Sequence, residues 1–467
     1  MRIGLAQINS MVGDFPANAK RIMQAYRSCL DQDAELVVTP AYALCGYPLL
    51  GLVHRERFVE QCLQALDYLG DEVKDVPLLV GHILIENDEP QKAATLLQLG
   101  KDPVCISFPY AAANQTNKQI ELKGCRLDLR LSDSGCLDEA SDLFIHMDAE
   151  TFTHPERATD RSLGLPGVYC NAVGGNDGWV FHGQSTAYGL SGVVLRSLVA
   201  FGEECLVVDV GGDVVSQVTS EEMHSTELLY RALCCGVEDF VRKGGYNGVC
   251  IAWDGTLAAH LLTRIAIDSM GEEQIAVIDF TEDPGSNHDL GDVEILDTSL
   301  SAFSKPLTDE FPVAAGVEHR LRKVALDHAA ESRGYLYLSA GTSTSFLMGD
   351  SEYIDYDFGG LAVFADLPTT SLQKLGRYLK LSEDVIASAG EVDAVAVQEE
   401  VLEAIANGSG ALQIIESSNL PEHFVRSLIR KYNLNHGRSR YRPVKIHLTK
   451  TDRDVNGDIP VIQTFVD

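Results

Sequence analysis

Basic side chains are scarce in this sequence. Its 467 residues include 37 Lys and Arg against 68 Asp and Glu, which gives a formal net charge of -31. Proteins that coat DNA or RNA need a basic surface to contact phosphates, so this balance argues against a nucleic-acid partner. The only locally basic segment, 430–450, is too weak a signal to change that expectation.

Long apolar runs are also missing. No run reaches the length needed to cross a bilayer, and the first residues, MRIGLAQINSMVGD, lack the apolar core of a signal peptide. We therefore expect a cytoplasmic protein with no membrane partner.

Cysteine and histidine patterns typical of metal or disulfide sites are absent as well. The eleven cysteines are odd in number and form no CxxC, and the thirteen histidines are scattered without ligand spacing. This usage is typical of reduced thiols and excludes a disulfide scaffold or a zinc site. No metal is expected.

What is present is an alternation of strand-like and helix-like segments, with 45% hydrophobic residues, which is typical of an α/β protein with more than one core. We predict a first domain over 1–213, a polar, glycine-containing linker over 214–226, and a second domain over 227–467.

Segment 248–271 suggests what the second domain is organised around. Residues 249–253 are apolar like a buried strand, a turn with Gly255 follows, and helical spacing begins at Leu257. In α/β proteins a strand that enters a helix through such a turn is a common phosphate site, because backbone N–H groups and the helix dipole point outward there.

Two segments of the first domain carry a family resemblance. Segment 40–48 reads PAYALCGYP, and segment 168–185 reads VYCNAVGGNDGWVFHGQS. Both resemble the amidase domain of the nitrilase superfamily, specifically the glutamine-hydrolysing half of bacterial glutamine-dependent NAD synthetase. The second domain resembles the synthetase half. The resemblance implies an N-terminal nitrilase-like αββα sandwich and a C-terminal Rossmann-like, doubly wound parallel sheet.

The amidase chemistry of that superfamily depends on a glutamate base, a lysine that stabilises the oxyanion and a cysteine nucleophile. The resemblance places Ala41 at the glutamate position, Cys105 near the lysine position and Ser132 at the cysteine position. Because a serine without a base is a poor nucleophile, we expect no amidase activity. The open alternative is a new chemistry that uses Ser132, Asp133 or Cys136.

The phosphate loop has changed in the same way. The family's Ser-Gly-Gly-x-Asp-Ser loop, which holds the pyrophosphate of ATP, corresponds here to Asp254, Gly255, Thr256, Leu257, Ala258 and Ala259. Asp254 would repel a polyphosphate at close range and is well suited to cap the following helix. We predict that Asp254 is the helix cap and that this loop no longer binds ATP.

Downstream motifs keep structural residues and lose ionic ones. The family's Asn-Lys-Ser-Glu corresponds to Thr342, Ser343, Thr344 and Ser345, and a further lysine corresponds to Thr369. The family residues that persist are Arg320, Arg322, Gly341, Gly359, Gly360, Asp366 and Pro368.

The resulting hypothesis is a catalytically inactive, NAD synthetase-like protein without a cofactor. The family's assembly into large oligomers implies a scaffold or regulatory subunit, either a homo-oligomer or a partner of another protein such as an active synthetase. Two alternatives stay open: a sensor that binds ATP, NAD, deamido-NAD or glutamine without turnover, and an enzyme with repurposed amidase or nucleotide chemistry.

Overall fold

The computed structural model describes residues 1–110, 118–132, 140–154, 164–211, 224–281, 291–297, 317–348, 360–418, 420–436, 444–448 and 463. The chain divides into two compact units, Met1–Leu228 and Leu229–Thr449. The predicted linker, 214–226, lies for the most part outside the described residues.

The first unit contains two six-stranded sheets. In chain order the strands of the first sheet are β1 (Arg2–Gln7), β2 (Leu36–Val38), β3 (Leu78–Glu86), β4 (Glu89–Leu97), β5 (Val104–Pro109) and β14 (Glu204–Asp209). The strands of the second sheet are β6 (Lys118–Leu122), β7 (Cys125–Leu131), β8 (Leu143–Asp148), β9 (Gly167–Asn171), β12 (Thr186–Tyr188) and β13 (Val194–Ser197). Strands β10 (Val173–Asn176) and β11 (Trp179–His182), which come between β9 and β12 in the chain, form a separate two-stranded ribbon.

The two sheets share one hydrophobic core. Their strand orders are β14-β1-β2-β3-β4-β5 and β13-β12-β9-β8-β7-β6. Side chains of β1 to β3 pack in one cluster with alternate side chains of β7, β8 and β9. The Cys170 thiol of the second sheet lies 3.5 Å from the Val38 carbonyl oxygen of the first, so the sheets lie face to face.

Two amphipathic helices cover the first sheet. Helix α1 (Phe15–Leu30) begins at the Asp14 cap and packs on β1 and β14, and α2 (Glu56–Glu72) packs on β3. The connections from β7 to β8 and from β8 to β9 join parallel neighbours, where a second helical layer of the predicted sandwich would lie. Much of both connections falls outside the described residues.

The second unit is a parallel sheet with helices between its strands. Its strands are β15 (Gly248–Trp253), β16 (Ile275–Asp279), β17 (Glu294–Asp297), β18 (Tyr335–Ser339), β19 (Gly360–Ala362) and β20 (Val444–Lys445). Its helices are α3 (Ser225–Lys243), α4 (Leu257–Met270), α5 (Val317–Arg333), α6 (Ser343–Met348), α7 (Thr369–Tyr378), α8 (Glu383–Ala387), α9 (Val392–Ala406), α10 (Ala411–Ser418) and α11 (Glu422–His436).

The order of this sheet is β17-β16-β15-β18-β19-β20, and every neighbouring pair is parallel. Counted from β15, this is the 3-2-1-4-5-6 order of a doubly wound Rossmann-like sheet. The direction of winding reverses between β15 and β18, and ligands of such folds bind outside the carboxyl ends of the strands at that point. The predicted strand 249–253 and helix start at Leu257 are confirmed.

Helix α3 ends at Lys243, because Gly245 has a φ of 71° and turns the chain towards β15. None of the helices in the described part of the chain is long and apolar enough to cross a membrane.

Candidate functional site

Ala41 and Ser132 lie beside the end of strand β8. The Ala41 N–H donates to the Asp148 carbonyl at 3.2 Å, and the Ser132 N–H donates to the Met147 carbonyl at 3.1 Å. Neighbouring peptide groups of one strand therefore hold both positions. A Cβ at Gly81 would lie 2.8 Å from the Ala41 Cα, so the backbone at Ala41 packs directly on β3. The structure brings these two predicted positions together.

Cys105 does not lie beside Ala41 and Ser132. It lies on β5 opposite Thr95 of β4, which is itself opposite Val80 of β3. Successive strand residues face opposite sides of a sheet, so Cys105 shares the face of Val80, whereas Ala41 packs on the face of Gly81. The Cys105 side chain is also exposed. Lys92 of β4 lies on the same face of the sheet as Gly81, and its side chain is buried, with 7% exposed. It is a cation on the face where Ala41 packs.

Three tyrosines pack around the backbone next to Ala41. The Tyr42 ring stacks on Tyr47 with centroids 4.9 Å apart and meets Tyr110 edge-on at 6.1 Å. Burial raises the pKa of the Tyr42 phenol well above its usual value, and the neighbouring Tyr110 phenol adds to the rise. The three rings make this surrounding aromatic, and the Asp148 charge also adds to the rise in the Tyr42 pKa. Ala41 itself provides no carboxylate at the general-base position.

The sequence reasoning missed two ionisable groups on β8. The His146 Nε2 lies 3.5 Å from the Asp148 Oδ2. Asp148 is the strand neighbour of Ser132, since Leu131 pairs with Met147. The HMD pattern at 146–148 was the available signal, but only the strand pairing shows that it lies next to Ser132.

In the second unit, the start of helix α4 is occupied by the protein's own side chains. The Thr256 N–H and hydroxyl both donate to the Asp254 Oδ1, at 3.0 and 2.7 Å. The Leu257 N–H donates to the Ser388 hydroxyl at 2.9 Å, and the Ala259 N–H donates to the Thr256 hydroxyl at 3.4 Å. N–H groups that a phosphate would need are therefore engaged inside the chain.

The prediction that Asp254 caps this helix is wrong. The cap is Thr256, whose hydroxyl accepts from the third residue of the helix, Ala259. Gly255 has a φ of 75°, and this left-handed turn delays the start of the helix by two residues. Asp254 instead holds the capping threonine in place from outside the helix.

The same Asp-x-Thr arrangement recurs on the neighbouring strand. Asp279 ends β16 beside Trp253 of β15, and its Oδ1 accepts from the Thr281 N–H at 2.8 Å and from the Thr281 hydroxyl at 2.7 Å. Two carboxylates thus lie at the carboxyl ends of adjacent strands. At close range each carboxylate would oppose a phosphate charge by about 1 to 4 kcal/mol.

The positions after β18 and at the start of α7 that the resemblance assigns to synthetase residues form one hydrogen-bonded network. The Thr342 hydroxyl lies 2.8 Å from that of Ser345 and 3.1 Å from that of Thr369. Ser343, at the lysine position, begins α6 and donates its N–H to the Leu367 carbonyl. These hydroxyls lie where the resemblance implies ionic, ligand-binding groups, and they bond to one another.

Helix α9 completes this network with a carboxylate that the sequence reasoning missed. Glu399 accepts from the Thr344 hydroxyl at 2.6 Å, from the Thr370 hydroxyl at 2.6 Å and from the Thr370 N–H at 3.3 Å. The Thr369 N–H donates to the Thr344 hydroxyl at 3.2 Å. No local sequence pattern indicates that Glu399 reaches these threonines, which lie on other helices.

Family residues that persist have structural contacts. Asp366 accepts from the Lys445 ammonium at 2.9 Å and from the Leu448 N–H at 2.8 Å. The Arg322 guanidinium lies 5.3 Å from the Phe280 ring. The predicted residues Asp133, Cys136 and Gly359, and the side chain of Arg320, lie outside the described residues.

Comparison with known proteins agrees with this two-unit arrangement. No family model matches the chain. The glutamine-dependent NAD(+) synthetase of Synechocystis is 25% identical over 454 residues, which cover 82% of this chain and 81% of that protein.

Solved structures extend the likeness to the fold. The structure of the Acinetobacter baumannii glutamine-dependent NAD+ synthetase, determined with ADP, covers 99% of this chain and 98% of its own, with a TM-score of 0.72 and 19% identity. That of the Cytophaga hutchinsonii enzyme covers 98% and 96%, with a TM-score of 0.76 and 12% identity. The chain is therefore similar in sequence and in fold to the glutamine-dependent NAD(+) synthetases, and its second unit has the doubly wound parallel sheet of a Rossmann-like fold.

Proposed function

We propose that this chain is a catalytically inactive relative of the NAD synthetases that acts as an oligomeric scaffold or regulatory subunit. The observation that carries the proposal is the start of helix α4. There Asp254, Thr256 and Ser388 occupy backbone donors that a bound polyphosphate would need, and Asp254 adds a negative charge. A loop that has replaced its ligand with its own side chains is maintained for the fold and not for turnover.

The first unit supports the same proposal. Ala41 cannot accept a proton, and Ser132 without an adjacent base is a weak nucleophile. Loss of a general base alone typically costs about 10² to 10⁴ in rate. Cys105 carries no positive charge at the predicted lysine position, and the buried cation on the face of Gly81 is instead Lys92 of β4. Each of the three roles in amide hydrolysis is thus weakened at its predicted position.

Activity assays test the inactive part of the proposal. The purified full chain is incubated with glutamine, and separately with deamido-NAD, ATP and ammonia. We expect no release of glutamate and no formation of NAD above a heat-treated control, with a related glutamine-dependent NAD synthetase run in parallel as the positive control. Turnover above the heat-treated sample in either assay would exclude a pseudoenzyme.

Assembly is tested separately, because an inactive chain need not be a scaffold. Light scattering after size exclusion measures self-association, and affinity purification from the native cell followed by mass spectrometry identifies partners. We expect either an oligomer of this chain or a stoichiometric complex with an active enzyme, such as a synthetase. A monomer that co-purifies with no protein at stoichiometric amounts would contradict the scaffold role.

One observation favours a second candidate, an enzyme with repurposed chemistry. Ser132 directly follows strand β7 and has a φ of 63°, a conformation unusual for a residue other than glycine, and such outliers are frequent at active sites. Its strand neighbour Asp148 is paired with His146. Labelling of Ser132 by a serine-reactive phosphonate, lost in Ser132→Ala, would support this candidate. Absence of labelling would favour the inactive chain.

A ligand sensor without turnover remains the further alternative. A ligand present at about a hundred times its dissociation constant adds about 2.7 kcal/mol to the free energy of unfolding. Thermal unfolding with ATP, NAD, deamido-NAD and glutamine therefore separates a sensor from a scaffold. We expect no shift with ATP, because of the carboxylates of Asp254 and Asp279.

A cytoplasmic location is part of the proposal. The ten cysteines in the described part of the chain are all free thiols. Free thiols in this number are typical of proteins from a reducing compartment. Fluorescence of a tagged copy in the native cell tests the location.

A further inference from the structure

Two cysteines meet where helix α1 packs on the first sheet. Cys29 lies in the last turn of α1 and is fully buried, and Cys205 lies on β14 opposite Ala6 of β1. A Cβ at Gly4 would lie 2.8 Å from the Cys29 Sγ, so the absence of a side chain at Gly4 leaves room for this thiol. Gly4 and Ala6 face the same side of the sheet, so Cys205 points towards α1 as well.

Hydrogen bonds next to the two cysteines also hold the end of helix α1 against strand β14. Cys205 pairs with Ala6, which lies two residues along β1 from Gly4, the position that the Cys29 sulfur packs against, and each thiol changes the pKa of the other. One turn further along the chain, the Gln32 amide donates to the Cys205 carbonyl at 3.2 Å and accepts from the Val207 N–H at 3.2 Å. The end of α1 is therefore fixed against β14, which keeps the two sulfur atoms close together.

The two thiols differ in reactivity. The neighbouring Cys29 side chain lowers the pKa of the Cys205 thiol, whereas the Cys205 side chain, and after it burial, raises the pKa of the Cys29 thiol. Cys205 is only partly buried, and β14 is the edge strand of its sheet. Because the thiolate is the reactive form, Cys205 is the sulfur that a small oxidant in solution would reach first.

We propose that Cys205 and Cys29 form a reversible disulfide when the protein meets a peroxide. The Cys205 thiolate attacks one peroxide oxygen, the O–O bond breaks, and Cys205 becomes a sulfenic acid while hydroxide leaves. The Cys29 sulfur then attacks the Cys205 sulfur, the S–O bond breaks and water leaves. Overall two thiols lose two protons and two electrons, and hydrogen peroxide becomes two molecules of water. A dithiol such as dithiothreitol reverses the step by exchange.

A second thiol pair in the same unit provides an internal comparison. Burial and the neighbouring Cys62 thiol raise the pKa of Cys45, and both residues are fully buried. Neither thiol of that pair is open to an oxidant in solution. The proposal therefore predicts a selective reaction of one pair, which does not depend on whether the chain is inactive as an enzyme.

The test begins with the full wild-type chain. Reduced protein is treated with a small excess of hydrogen peroxide, free thiols are titrated under denaturing conditions, and peptides are mapped by mass spectrometry without reduction. We expect the eleven thiols to fall by two, a loss of two hydrogen atoms in mass, and one linked peptide pair that contains Cys29 and Cys205. Dithiothreitol should restore both thiols.

Variants then separate this pair from the other. The linked peptide should disappear in Cys205→Ser and persist at an unchanged yield in Cys62→Ser. Oxidised wild type without a Cys29–Cys205 peptide, with oxidation confined to the exposed Cys105, would overturn the proposal. So would linkage of Cys45 to Cys62 at equal yield. Since both results are read from the wild-type chain, neither depends on the folding of a variant.

Discussion

Thr256 holds the start of helix α4 through a single hydroxyl. That hydroxyl donates to Asp254 and accepts from the Ala259 N–H, so the turn and the helix are joined at one atom. Loss of a threonine cap typically costs about 0.5 to 2 kcal/mol. We therefore expect Thr256→Val to lower the free energy of unfolding by about 1 to 2 kcal/mol, measured by urea unfolding.

The matched control is Thr256→Ser, which keeps the hydroxyl and should unfold close to the wild type. If the valine and serine variants unfold at the same urea concentration, the capping bond contributes nothing to stability. The assignment of Thr256 as the cap would then be of no energetic consequence.

His82 gives the first unit a dependence on pH. Its ring is fully buried between the Ile83 carbonyl at 2.9 Å and the Thr95 hydroxyl at 2.7 Å, and burial lowers its pKa from 6.5 to about 4. The folded state therefore excludes a proton that the unfolded chain binds below pH 6.5. The stability that His82 contributes is complete above pH 6.5 and is lost as the pH falls to about 4.

The shift corresponds to at most about 3 kcal/mol of the free energy of unfolding. Urea unfolding between pH 7 and pH 4 should show a flatter pH dependence for His82→Gln than for the wild type. The exposed His54 provides the control, because His54→Gln should leave the dependence unchanged. Equal slopes for wild type and His82→Gln would show that His82 is protonated in the folded protein.

At the scale of elements, Glu399 ties three helices together. Both of its carboxylate oxygens accept from threonines at the starts of α6 and α7. Removing the Glu399 carboxylate would leave two hydroxyls and one N–H without their acceptor, which typically lowers the free energy of unfolding by about 1 to 3 kcal/mol. We expect Glu399→Ala to destabilise the second unit by that amount, measured by urea unfolding followed by Trp253 fluorescence in a Trp179→Phe background.

Its neighbour Glu400 provides the control for this prediction. Glu400 lies on the same helix but is exposed, so Glu400→Ala should change the free energy of unfolding by less than about 0.5 kcal/mol. Equal effects of the two substitutions would mean that only helix α9 itself, and not the network, responds.

Glu399 also shows why only part of the candidate site was predictable. Periodicity and turn residues predicted β15 and the start of α4, because both are encoded within a few neighbouring residues. The contacts of Glu399 with Thr344, and of Ser388 with Leu257, join residues far apart in sequence. Such contacts depend on how helices pack, which a single sequence does not reveal.

The prediction that Asp254 caps α4 was wrong for a local reason. Asp254 and Thr256 are both good capping residues, and residue type does not decide between them. The positive φ of Gly255 decides, because it places Thr256 and not Asp254 at the helix start. The face of the sheet on which Cys105 lies is set by strand pairing, which was not known from the sequence.

At the scale of the whole molecule, each unit has its own hydrophobic core and contains one of the two tryptophans. Trp179 lies on β11 of the first unit, and Trp253 lies on β15 of the second. Trp253→Phe therefore leaves fluorescence that reports the first unit alone, and Trp179→Phe leaves fluorescence that reports the second. Since separate cores commonly unfold separately, we expect the two variants to give different urea midpoints.

The proposed disulfide provides a second test of separate unfolding. It lies within the first unit and constrains only that part of the unfolded chain. Oxidation should raise the urea midpoint seen in Trp253→Phe and leave the midpoint seen in Trp179→Phe unchanged. Circular dichroism of each variant under the same conditions checks that phenylalanine itself has not changed the transition. Coincident midpoints that move together on oxidation would show instead that the two units unfold as one cooperative structure.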